Sequence, residues 1–452
     1  MHINTTWNHL YKYLLPVEIG IKIIIKITTT TMNKIIIIIF NILLLFLRTT
    51  LTNAINNNAT LTLTSNNPIS KCLDGTPHGF YHRPATSKNA TDKWIFMLEG
   101  GGLCSHEEDC VERSKTSLGS SNYFPKQFDY DSIGSIFTND PSNPFYQWNY
   151  VYLPYCDGGM WSGTRTTKSN ETFGLYFSGH NNIEATVDYL SVHAGLNVSN
   201  NFVIFSGGSA GGVGAFLNYE YVQERLPSVK LVGAPVGGFP PALNWYTGKN
   251  SNVPEEDVRD SNFPYLTKLF DAYLPTNCRE NIKGGEQNNW KCFVPRLAYP
   301  YYELPLFIME AITDVVIMGG FEGMDHKIPR AFLNPDVWKW IKEYGVNATN
   351  NFKEINTKRD GLFAPSCLIH CQFGLDKPII NGINVATAMY NWVIQYMPSK
   401  SSGSSSITSL SRLNDKDLFV DDMKGDTDGD HVYMDKCKSG SYYPPCGICP
   451  KL

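Results

Sequence analysis

Residues 201–213 read NFVIFSGGSAGGV: a short apolar run, a glycine-rich turn with Ser209 at its apex, and a helix-compatible segment beginning near Gly214. Gly207-Gly208-Ser209-Ala210-Gly211 fits G-x-S-x-G, a strand-to-helix turn in which small neighbours let the backbone double back and push a serine Oγ toward solvent. The β-rich FVIF before the turn and GAFLNYEYVQERL after it supply the context such an elbow needs. A tight turn with an incidental serine is the plainer reading, and only the other parts of a site decide between the two. A serine hydroxyl is a weak nucleophile at neutral pH. It needs a base within hydrogen-bond reach and an acid that orients that base.

In the chain order nucleophile, acid, histidine, the base must come from His326, His370 or His431. His370 lies in PSCLIHCQF, and flanking Cys367 and Cys371 would pin it on a fixed loop, so it is the expected base. The expected acid is Asp314, which follows the apolar run LPLFIM in the loop EAITD, at the strand end where such folds place ligand-facing residues. Glu310 is the second choice, and Asp325 and Asp376 follow no comparable strand. An oxyanion needs backbone N–H donors. Ala210, just after the nucleophile, supplies one, and Gly101 or Gly102 in WIFMLEGGG supplies the other.

These residues need a scaffold that brings four loops together. Candidate strands at 94–98, 150–154, 202–206, 231–234 and 306–309 alternate with helix-compatible segments, and 383–396 reads as a late amphipathic helix. Near-continuous apolar strands alternating with helices predict an α/β fold, α/β-hydrolase-like, with a mostly parallel central sheet flanked by helices. The catalytic domain is placed at 72–399. A flexible leader at 55–71 precedes it, and a Ser-rich linker with a Cys-rich tail packed on the same domain, 400–452, follows it.

The chain has 452 residues, 42% hydrophobic and 18% charged, with a net charge of -4, so it has a sizeable core and no basic stripe for nucleic acid. Residues 1–54 read as an N-terminal extension and signal peptide, with Met32 a natural initiator. The thirteen-residue run IIIIIFNILLLFL is short for a membrane span but right for a signal core. A stable membrane partner follows only if that signal stays uncleaved. Eleven cysteines then predict a disulfide framework with one thiol left over, including the close pairs Cys104/Cys110 and Cys367/Cys371 and the cluster Cys437, Cys446 and Cys449.

Zinc at Cys446/Cys449 lacks a second ligand pair, and the acidic run 421–430 fails the calcium-loop spacing, so neither metal nor cofactor is expected. Sequons at Asn58, Asn89, Asn170, Asn197 and Asn347 fit a secreted, extracellular surface. Trp161, Tyr176 and Trp245 are candidates for sugar stacking or for the core.

Several of these segments, in this order, resemble the pectin acetylesterase family, which also contains the Notum protein-deacylases. They are CLDGTPHGFY, FMLEGGGLC, FYQWNYVYLPYCDGGMWSG, GLYFSGHNNIEATVDYL, FSGGSAGGVGAFLN, LPLFIMEAITD, PSCLIHCQ and YYPPCGIC, spanning nearly all of 72–449. The resemblance implies Ser209 as nucleophile, Asp314 as acid, His370 as base and Gly101, Gly102 and Ala210 as oxyanion donors. It implies an esterase acting on an acetylated polysaccharide as a monomer, with protein deacylation or a non-catalytic carbohydrate-binding role as alternatives. The chain departs from plant members at Leu103, where they usually have an aromatic, and at Gly208, where they often have a cysteine. On this resemblance the missing cysteine accounts for the odd count. The acid loop ITDVVIM also lacks the family's aromatic-polar residues.

Overall fold

The computed structural model describes residues 57–240, 258–318, 335–398 and 431–434. The expected signal segment, Trp245, Asp325, His326, the Ser-rich and acidic stretches, and Cys437, Cys446 and Cys449 lie outside them.

Each of the five candidate strands becomes a strand, and they join with others in one sheet. In chain order they are β1 (Asn58–Leu63), β2 (Gly79–Arg83), β3 (Lys93–Leu98), β4 (Gln127–Asp129), β5 (Asn149–Leu153), β6 (Phe202–Gly208), β7 (Lys230–Val236), β8 (Phe307–Met309), β9 (Gly361–Ala364) and β12 (Val432–Met434). A separate hairpin pairs β10 (Ile379–Ile380) with β11 (Ile383–Asn384). The principal helices are α1 (Glu107–Arg113), α2 (Gly179–His193), α3 (Ala210–Arg225), α4 (Val258–Phe270), α5 (Pro335–Phe352) and α6 (Val385–Val393).

The sheet order is β12-β9-β8-β7-β6-β3-β5-β2-β1-β4. Pairing is parallel from β12 to β5 and antiparallel from β5 to β4. Parallel strands need helical crossovers, which cover both faces, and this is why β5, β6 and most of β7 are buried along their length. Side chains alternate between two cores: Phe96, Leu98, Val203 and Phe205 face one, Ile95, Phe202 and Ile204 the other. The fold is an α/β-hydrolase-like fold.

Three local expectations are corrected. Part of the stretch read as a flexible leader is strand β1, which pairs with β2 and β4. In NATLTL the β-branched threonines alternate with Ala59 and Leu61, and that period outweighs the polar composition. Helix α3 starts at Ala210 and not near Gly214, since the Ser209 carbonyl already accepts the Val213 N–H at 3.0 Å. The late helix is shorter than 383–396: Asn384 caps it by accepting the Thr387 N–H at 2.8 Å, and it ends at Val393.

Candidate active site

Strand register decides which loops meet. Leu98 at the end of β3 pairs with Gly207 at the end of β6, so the triple-glycine loop and the Ser209 turn leave the same edge side by side. Likewise Met309 of β8 pairs with Phe363 of β9, which places the Asp314 and His370 loops next to each other. All four loops therefore lie at the carboxyl ends of parallel strands, the crevice where open α/β sheets bind ligands.

Ser209 has φ 56° and ψ -123°, a conformation rare for a residue with a Cβ and characteristic of strained functional turns. Its amide is tied to Val236 O at 2.8 Å. The turn closes only on glycine: a Cβ on Gly207 would lie 2.1 Å from Gly211 O, and one on Gly211 would lie 2.0 Å from Leu98 O.

Asp314 is fully buried. Its Oδ1 accepts the N–H groups of Val316 at 2.9 Å and Ile317 at 3.0 Å, and its Oδ2 meets His370 Nδ1 at 2.6 Å. With Nδ1 as the donor, the neutral imidazole keeps its lone pair on Nε2, and that nitrogen is buried without a hydrogen-bond partner. Glu310 is buried behind Asp314, Asp376 is exposed, and His431 stands at the entry to β12 on the far edge of the sheet.

The expected clamp of two cysteines around His370 is not what holds it. Cys367 is disulfide-bonded to a partner outside the described residues, while Cys371 is a free thiol. Its Sγ points at the elbow, 3.6 Å from Val236 O, and burial raises the thiol's pKa, with the charge of Asp314 adding to the effect. The loop is laced instead to the acid loop, through Ile312 N to Pro365 O at 2.9 Å and Thr313 Oγ1 to Cys367 O at 3.1 Å. The described disulfides are Cys72–Cys156, Cys104–Cys110 and Cys278–Cys292.

Gly208 faces the free thiol. A Cβ there would lie 4.0 Å from Cys371 Cβ and 3.7 Å from its Sγ, within the range a disulfide spans, with the Met97 methyl at 3.2 Å as the nearest obstacle. Gly208→Cys is therefore expected to close a disulfide from the elbow to Cys371. Peptide mapping without reductant checks it: the Cys371 peptide, alkylated in the parent, should appear cross-linked to the elbow peptide in the variant.

The glycine loop is held by residues that the sequence reading did not single out. Arg113 donates to Gly101 O at 2.7 Å and to Leu103 O at 3.2 Å, and Tyr155 Oη donates to Gly102 O at 2.8 Å. Carbonyl and N–H of one trans peptide point in opposite directions. Turning the Gly101 and Gly102 carbonyls toward Arg113 and Tyr155 therefore turns the N–H groups of Gly102 and Leu103 away from them. Gly102 has φ 68°, which a glycine adopts without strain. Ala210 opens α3, so its N–H belongs to the unpaired first turn at the positive end of the helix dipole. The one sequence signal for Arg113 is the short Cys104–Cys110 loop, which folds α1 back over the glycines.

Trp161, a candidate for sugar stacking, is fully buried and donates from Nε1 to Glu99 O at 2.9 Å. It belongs to the core because Met160 and Trp161 both adopt positive φ, 53° and 62°, which turns the ring inward. Asp157 anchors this turn by accepting the amides of Gly159 at 2.9 Å and Trp161 at 3.2 Å. Burial raises its pKa to about 7. The folded state thus holds a proton that the unfolded chain has released, so stability falls as pH rises from about 4 to about 7, by at most about 1.4 kcal/mol per unit. In Asp157→Asn that contribution is absent. Denaturation midpoints at pH 5 and pH 8 should differ less in the variant than in the parent.

Beside the His370 loop lies a cavity of about 710 Å³, lined by Ile133, Ile369, Cys371 and Phe373 together with Ser135, Gln372, Asp376 and Lys377. Among the described residues no cluster of three or more metal-ligating side chains occurs, and no helix is long and apolar enough to cross a membrane.

A family model described as pectinacetylesterase matches residues 52–406. The palmitoleoyl-protein carboxylesterase NOTUM of Schmidtea mediterranea is 29% identical over 322 residues, covering 66% of this chain and 55% of that protein. Pectin acetylesterase 5 of Arabidopsis thaliana is 28% identical over 366 residues, covering 73% of this chain and 78% of the relative. The crystal structure of the Wnt deacylase Notum from Drosophila superposes with a TM-score of 0.63 at 25% identity, over 75% of this chain and 93% of that one. The chain spans less than two thirds of the length of the first Notum relatives, 55% and 59%.

Proposed function

For this chain, which belongs to the pectinacetylesterase family, we propose a secreted serine carboxylesterase that removes O-acetyl groups from a polysaccharide. The observation that carries the reading is the Asp314–His370 contact of 2.6 Å at the same sheet edge as the strained Ser209 turn. In this mechanism His370 Nε2 takes the Ser209 proton as Oγ attacks the ester carbonyl. The oxyanion is held by N–H groups of Ala210 and of the Gly101–Gly102 loop. His370 then gives the proton to the departing sugar hydroxyl, leaving an acetyl-enzyme. Water repeats the sequence, and acetate and free serine result. Asp314 keeps the proton on Nδ1 and stabilises the imidazolium.

The sugar reading draws support from the cavity lined by residues on either side of His370. Phe373, Ile369 and Pro378 offer apolar faces, while Ser135, Gln372 and Lys377 offer hydrogen bonds, a mixture suited to a pyranose. Secretion is supported by the disulfides and by the exposure of all five sequon asparagines, Asn58, Asn89, Asn170, Asn197 and Asn347. Removal of a fatty acyl group from a protein is the second reading, favoured by the similarity to the Drosophila Wnt deacylase structure.

Nitrophenyl esters from acetyl to octanoyl separate the two. The proposal expects kcat/KM to be highest for acetyl; a clear preference for octanoyl overturns it. Failure of a fluorophosphonate to label folded protein at Ser209 would instead favour a carbohydrate-binding homologue without catalysis.

A further inference from the structure

Glu310 is the first residue after β8, and it is fully buried. Its Oε2 accepts the Phe239 N–H at 2.9 Å, which joins the acid loop to the segment after β7. Its Oε1 is enclosed, with no donor to satisfy it, and its carboxyl group lies within hydrogen-bonding reach of the Asp314 carboxylate. Two carboxyl groups in contact, both without solvent, cannot both be ionised. Asp314 is the better-solvated anion, since two backbone amides and the His370 imidazole donate to it. Glu310 has a single amide, so the shared proton belongs to Glu310.

We propose that Glu310 is a positioning residue: as a neutral acid it donates a hydrogen bond to the Asp314 carboxylate and fixes its orientation toward His370. Burial and the neighbouring Asp314 charge both push the Glu310 pKa well above the ordinary carboxyl range, consistent with this assignment. The proton does not move during turnover, and the residue touches no substrate. What it contributes is an acceptor for Phe239 and a donor for Asp314, a pattern that a glutamine amide reproduces and an alanine does not. The inference rests on the serine-esterase reading above.

The test compares the full secreted chain with Glu310→Gln, Glu310→Ala and Ser209→Ala, using nitrophenyl acetate for kinetics and infrared difference spectra for protonation. The parent at neutral pH should show the carbonyl stretch of a protonated carboxyl that disappears in Glu310→Gln. Glu310→Gln should keep kcat within about threefold of the parent, while Glu310→Ala should lose at least about tenfold in kcat with KM little changed. Absence of the carbonyl band, a kcat in Glu310→Gln as low as in Glu310→Ala, or parental kcat in both would each overturn the proposal. Should Glu310→Ala fail to fold, the infrared band and the Glu310→Gln kinetics decide on their own. Activity retained in Ser209→Ala would strike at the esterase mechanism instead, and is thus distinguishable.

Discussion

Ser209→Ala is expected to lower kcat by a factor on the order of 10⁴ or more while substrate binding stays close to that of the parent. The size of the effect follows from the chemistry: without Oγ no acyl-enzyme forms, and the remaining donors can only help water attack slowly. Binding survives because the turn does not depend on the hydroxyl. Its shape is set by the Ser209 amide on Val236 O and by the close approach of Gly207, Gly211 and Leu98. Alanine carries the same Cβ as serine, so the strained φ of 56° is no harder to hold. Burst kinetics with nitrophenyl acetate and fluorophosphonate labelling check the result, since both should vanish in the variant while its thermal midpoint is unchanged. Near-parental turnover would remove Ser209 from the mechanism.

Ser209 and the glycine loop were legible because each lies in a short string that carries its own geometry: an apolar strand, a turn that only glycine permits, and then a helix. Asp314 and His370 were legible through chain order and strand ends, although of the two cysteines expected to pin His370 only Cys367 is bonded. Three residues separate Cys367 from Cys371, and spacing alone cannot say that one side chain turns toward the elbow while the other pairs elsewhere. What positions the glycine loop was hidden for a related reason. Tyr155 reaches Gly102 across 53 residues, a contact that exists only once β3 and β5 are side by side, and Arg113 reaches Gly101 across 12, where α1 folds back. Trp161 stays open between sugar platform and core in the sequence because an indole suits either, and two successive residues at positive φ go with the core. Glu310 appeared as a second-choice acid. The fold makes it a neighbour of the first choice.

Asp314→Asn is expected to cost nearly as much as loss of the nucleophile, on the order of 10⁴ in kcat, with KM little altered. The asparagine has only one oxygen, and the donors that share the carboxylate compete for it. Val316 and Ile317 both donate backbone N–H groups to Oδ1, and an amide nitrogen in place of that oxygen would set donor against donor. Setting an amide NH₂ against two backbone donors, one of them buried, costs more than losing one hydrogen bond to an imidazole. The amide oxygen therefore stays on Val316 and Ile317, and the NH₂ group faces His370. Nδ1 must then accept, its proton moves to Nε2, and the nitrogen directed at the nucleophile no longer has a lone pair. The fold is intact, the histidine is present, and the base is gone. Nitrogen NMR of labelled His370 separates this from simple misfolding, because the parent should show the Nδ1–H tautomer and the variant the Nε2–H tautomer. A variant that kept the parental tautomer and still lost activity would mean that Asp314 acts through its charge alone.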